Sequence, residues 1–243
     1  MELHYIALMY LFVSAFIVGF SKTSVGGLGI IVVLLMALVF PGKESVGLLL
    51  PMLVVADLIA VIIYKKHCDW TIILKIFPLT GIGVLIGYFI IDLISQDVFN
   101  VALGLVILSM LILGQILEWK KFEVSENKYL TIIIGLMAGI ATMIANAAGP
   151  LLAIYFLQLA LPKEKFVGTR SWYFLLLNVF KIPFSVNLGL ITYDSLHLNL
   201  ISLPLIIFGA YIGVKFLAII DMSTFAWLIK IASFIACVKL ILF

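Results

Sequence analysis

Of the chain's 243 residues, 65% are hydrophobic and 11% charged, with a net charge of +3 and a mean hydropathy of +1.32. A soluble domain carries roughly 25% charged residues, so most of this surface meets lipid and no room is left for a soluble domain. The small net charge gives no footing for nucleic acid. Two cysteines without metal-ligand spacing, no histidine cluster and no nucleotide motif leave nothing for redox or metal chemistry, so no cofactor, metal site or enzymatic activity is expected.

A bilayer crossing takes about 20 apolar residues, within a range of about 17–25. The N-terminus Met-Glu-Leu-His lacks a basic start and a small-residue cleavage site, so the first apolar run, about 4–20, reads as a retained helix. A glycine-rich break follows, then a short run at 28–40, then long runs at 45–64, 70–91 and 97–117. The hydrophilic connector 118–128 divides the chain into a first half, 1–117, and a second, 129–243. The second half carries a run at 129–146, a short one at 149–161 after another break, and long ones at 165–187, 195–220 and 223–242. The expected fold is all-α and polytopic, with eight to ten membrane segments and short or broken helices at matching places in two internal repeats.

The repeat is legible in spacing. Gly29 matches Gly149 at an offset of 120, and Pro41, Val46, Gly47 and Asp57 match Pro162, Val167, Gly168 and Asn178 at 121. Pro78, Gly83, Gly87 and Phe99 match Pro204, Gly209, Gly213 and Phe225 at 126. Lys65-Lys66, Lys120-Lys121-Lys128 and Lys163-Lys165-Arg170 mark cytoplasmic loops, with the acidic loop 92–97 and Lys43 outside. On that count the repeats run in opposite directions; if the two short segments merely re-enter, they run parallel.

Gly26, Gly27 and Gly29 precede one short segment, and Asn146, Gly149 and Pro150 precede the other. Asn or Gly suits an N-cap and Pro the first helical position, so each break reads as a helix N-terminus inside the membrane. Such a terminus offers free N–H groups and about half a positive charge, both suited to an anion. The alternative is glycines that only allow close helix packing. Lys22, with Thr23 beside it, sits in the first break; Lys181 follows Asn178 and precedes Pro183. A membrane-embedded charge is costly and normally faces a cavity or a partner, so both lysines are candidate anion contacts, the alternative for Lys22 being an interfacial lysine that snorkels. Arg170, the only arginine, reads as a boundary marker, although its planar fork also suits sulfonate or sulfite oxygens. Asp57 is the candidate coupling site, neutralising Lys22 or Lys181 when substrate is absent, or else an inter-helix hydrogen-bonding group. Lys75, Lys215 and Lys230 read as interfacial anchors, and His4, His67 and His197 as loop or segment-start residues.

Gly19-Phe-Ser-Lys-Thr-Ser-Val-Gly-Gly-Leu-Gly-Ile30, Met143-Ile-Ala-Asn-Ala-Ala-Gly-Pro150, Phe166-Val-Gly-Thr169 and Asn178-Val-Phe-Lys-Ile-Pro183 resemble the TauE/SafE sulfite-exporter family, also called the toluene-sulfonate uptake permease family, over about residues 5–240. The first-half motif departs from the family's commonest form, with Lys22-Thr-Ser where a glycine often stands. The resemblance implies a multi-pass plasma-membrane carrier of sulfite, sulfonates or related organic anions. Its partners would be a small anionic substrate, the lipid bilayer and a coupling proton or cation. The residues themselves support a secondary transporter, or alternatively a passive anion channel built on the same broken helices. Short loops and the lack of a transit peptide fit a bacterial or archaeal inner membrane.

Overall fold

The computed structural model describes residues 2–24, 26, 28–40, 42–119, 128–221, 223–224, 227–228 and 231. Gly27, Pro41, connector residues 120–127 and nearly all of the expected last segment, with Phe225, Lys230 and Cys237, lie outside them. Among the described residues there is no strand. The helices are α1 (Glu2–Thr23), α2 (Gly29–Ala37), α3 (Gly42–Tyr64), α4 (Trp70–Leu93), α5 (Gln96–Trp119), α6 (Lys128–Ala145), α7 (Gly149–Gln158), α8 (Lys163–Asn187) and α9 (Tyr193–Ile219), with a short 3-10 turn at Lys65–His67. Among the described residues, five spans are long and apolar enough to cross a membrane: Tyr5–Thr23, Gly42–His67, Trp70–Leu93, Lys128–Ala145 and Tyr193–Ile219. The protein is an all-α, multi-pass membrane protein. At about 1.5 Å per residue, the 9 residues of α2 and the 10 of α7 cover about half of the roughly 30 Å hydrocarbon core, so neither crosses alone.

Lipid supplies no hydrophobic drive between helices, so association depends on close backbone approach at small residues. α1 lies along α9 and α4 along α6, and in both pairs glycines meet the partner's backbone. A Cβ on Gly209 would strike the carbonyl of Phe16, and one on Gly213 that of Phe20. A Cβ on Gly83 would strike the carbonyl of Leu136, and one on Gly87 would crowd Ile140 and Met143. Facing residues rise together along each pair, so both pairs are parallel. α3 and α8 instead cross the centre antiparallel, with Gly47 against Leu190, Asp57 against Asn178 and Gly168 against Tyr64.

The carbonyl at the end of α1, Thr23, accepts a 3.1 Å hydrogen bond from the Tyr64 hydroxyl at the end of α3. α2 and the residues after it must therefore carry the chain back to the start of α3. Lysines close two other helix ends: Lys43 donates to the carbonyl of Ile94 at 2.9 Å, and Lys163 to that of Ile220 at 2.8 Å. On the α3–α4 turn, Asp69 caps α4 by accepting from the Thr71 amide and pairs with Lys165 at 2.8 Å. The Lys165 ammonium holds the Asp69 carboxyl below its usual range, so this tie stands at neutral pH and is lost as pH falls through that lowered value.

Valine at Gly139, which faces the Thr80 carbonyl and Gly83, is expected to cost at least the 1–3 kcal/mol typical of overpacking, at about that order. Alanine at Gly104 on α5, with open space around it, should leave stability unchanged. Thermal unfolding in detergent checks both; equal midpoints for Gly139→Val and wild type would contradict the packing.

Candidate functional site

Helix α1 stops because Gly26 takes a left-handed conformation, φ 74°, and its amide closes onto the Ser21 carbonyl at 3.0 Å. Helix α6 stops at Asn146, φ 51°, the non-glycine residue type most at ease there. The residues before α2 and α7 are Leu28 and Ala148, neither with a side-chain cap. Asn146 is thus the helix-ending residue of α6 and not the N-cap of α7: its left-handed backbone cannot occupy the cap position, and its side chain is used elsewhere.

Its amide nitrogen donates to the carbonyl of Val46 at 3.0 Å, and its oxygen accepts from Lys181. Lys181 also donates to Thr142 at 3.1 Å and reaches the Asn178 oxygen at 3.4 Å. The Asn178 amide donates to Asp57 at 2.7 Å, and Asp57 pairs with Lys22, Nζ to Oδ1, at 2.8 Å. One polar chain therefore runs from Lys22 on α1 through α3 and α8 to Asn146 beyond α6. Lys22 also lies 4.2 Å from the centre of the Phe174 ring.

Arg170, expected at the cytoplasmic boundary, does not face solvent. It is 3% exposed, because two helical turns separate it from the start of α8 and its side chain turns into the first break. Its Nη2 donates to the carbonyls of Ser21 (3.1 Å), Lys22 (2.8 Å) and Ser24 (3.2 Å), satisfying acceptors that the end of α1 leaves without helical partners. Its Nη1 presses against Gly26, where any Cβ would collide with it, so that position needs glycine for space as well as for φ.

Between the breaks lies a cavity of about 50 Å³, where about 10–15 Å³ on the same measure holds one water. Lys22, Gly26, Gly29, Asn146, Gly149 and Asn178, all named from sequence, line it, together with Arg170. Gly29 and Gly149 are the first residues of α2 and α7, so two helix N-termini open onto it. Asp57 and Lys181 stand behind this lining, reached through Lys22 and Asn178. Thr23 does not join it: its hydroxyl donates to the Ala210 carbonyl at 2.9 Å and seals α1 to α9. Gly27 and the Pro150 side chain lie outside the described residues. Ser21, Leu53, Thr142 and Phe174 also line the cavity and were not singled out from sequence; Thr142 stands at the 120-residue offset from Lys22, a signal that would have found it.

Lys22 and Arg170 line this space and Lys181 lies behind it, while Asp57 is the one buried carboxylate among the described residues. Buried cations in excess over carboxylates, beside two helix N-termini, favour an anion. Among the described residues no group of three or more His, Cys, Asp or Glu converges.

A family model described as sulfite exporter TauE/SafE matches residues 11–240. No curated protein and no solved structure matches the chain.

Proposed function

The chain belongs to the TauE/SafE sulfite exporter family, a family of membrane transporters, and from that premise we propose that it is a secondary carrier of small oxyanions, sulfite or a sulfonate, in the cell membrane of a bacterium or archaeon. The observation that carries this reading is the cavity shared by both helix breaks and bordered by Lys22 and Arg170. The anion would be held by backbone N–H groups at the starts of α2 and α7, by Lys22, and by Asn146 and Asn178, with Lys181 adding charge from behind. Asp57 is the coupling residue. With the cavity empty it neutralises Lys22; an arriving anion competes for Lys22, and the released carboxylate takes a proton because a bare charge there is costly.

Alternation between the two sides would follow from an inverted repeat. In support, adding 120 to residues of α1 and subtracting 126 from residues of α9 carries one glycine interface onto the other: Phe16 with Gly209 becomes Leu136 with Gly83, and Phe20 with Gly213 becomes Ile140 with Gly87. The shift of 120 also takes the left-handed Gly26 onto the left-handed Asn146. α3 and α8, the counterparts at the centre, run oppositely, as an in-plane pseudo-two-fold axis requires.

The test is counterflow of labelled sulfite in proteoliposomes, competed with sulfonates, sulfate and carboxylates. A carrier gives exchange that saturates with external sulfite and is trans-stimulated by internal sulfite. Flux that rises linearly without trans-stimulation would replace the carrier by an anion channel.

A further inference from the structure

Arg170 holds more donors than its protein partners use. Nη2 is spent on three carbonyls at the end of α1. Nη1 is buried against Gly26 and has no hydrogen-bond partner, and Arg170 and Gly26 both line the cavity. The guanidinium stays charged, yet Asp57, the carboxylate behind the lining, is already shared between Lys22 and Asn178. A buried, charged donor without an acceptor is an unfavourable arrangement unless a ligand completes it. The cavity that Arg170 lines also receives the N-termini of α2 and α7.

We infer that Nη1 of Arg170 is a direct ligand of the transported oxyanion, and that the same guanidinium, through Nη2, fixes the end of α1 around the bound anion. This rests on the carrier reading and deepens it: filling the cavity and setting the α1–α2 break become one event, transmitted through a planar group that holds both. A lysine ammonium cannot do this, being a point charge without the two-sided fork.

Initial rates of sulfite counterflow, measured over a range of sulfite concentrations, test the inference. Arg170→Lys keeps the charge and should raise the KM for sulfite about tenfold or more. Gly26→Ala should do the same from the opposite side, since its Cβ displaces Nη1, and the double variant should be no worse than the poorer single, because both remove one interaction. Gly189→Ala controls for backbone strain: Gly189 is also left-handed, φ 66°, but sits in open space in the turn before α9, and its KM should not move. Equilibrium binding of labelled sulfite to monodisperse protein in detergent gives a second readout that does not need reconstitution. Wild-type KM and affinity in Arg170→Lys would overturn the inference while leaving the carrier intact. Wild-type protein that neither binds nor exchanges sulfite would overturn both.

Discussion

Replacing Lys22 by alanine is expected to abolish sulfite exchange. Lys22 lines the cavity and is the cation nearest Asp57, 2.8 Å away. A hydrogen bond to a charged group contributes about 1.5–3 kcal/mol, so losing one anion contact alone reduces affinity by roughly 10- to 150-fold. The substitution also strands Asp57 with only Asn178 to hold it, and breaking one side of a buried pair costs about 3–5 kcal/mol of stability. Lys22→Gln separates the two effects, because glutamine keeps a hydrogen bond to Asp57 and loses the charge. It should remain folded by size-exclusion chromatography and still fail to exchange. Exchange at the wild-type rate in Lys22→Gln would remove Lys22 from the site.

Asp57→Asn has a different signature. Asparagine fills the same volume and can still accept from Asn178 through its side-chain oxygen. It cannot take a proton. The groups facing Asp57 are Lys22 on α1 and Asn178 on α8, with Arg170 and Lys181 of α8 close enough to act on its charge. With the carboxylate gone, anion-for-anion exchange should continue, since it needs no net proton movement. Accumulation of sulfite against its gradient, driven by a pH difference across the membrane, should fall to the level set by exchange alone. Undiminished pH-driven accumulation in Asp57→Asn would take the coupling role from this residue.

The order and type of helices were legible because each is a long apolar run bounded by charge, glycine or proline. The short runs at 28–40 and 149–161 resolve into α2 and α7 at 29–37 and 149–158, since the breaks before them carry the residues that accept a left-handed turn. Depth was not legible. Arg170 follows three charged or polar residues at the start of α8, and one-dimensional spacing cannot tell a helix end at the membrane surface from one that begins outside the bundle and turns its second turn inward. Lys181 raised the same difficulty: its spacing shows neither depth nor partners, and the structure encloses it fully among Thr142, Asn146 and Asn178. Asn146 was assigned a capping role because its composition suits one, yet the backbone uses it to end α6. Thr23 was grouped with Lys22 by adjacency, but neighbours on a helix point about 100° apart, and that rotation turns Thr23 toward α9. That Asp57 needs a partner follows from the cost of a lone charge in an apolar environment, but the sequence leaves Lys22 and Lys181 both open, and the structure pairs it with Lys22.

A carrier of this kind holds a single anion between the two helix breaks, gripped from both halves of the chain. Equilibrium binding of labelled sulfite to purified protein in detergent tests it most directly, comparing wild type with the Lys22→Gln/Asn146→Ala double variant, which removes one cavity group from each half. One saturable site per chain is expected in wild type, and its loss in a double variant that still elutes as folded protein. Full sulfite binding in that folded double variant would place the anion elsewhere and contradict the account.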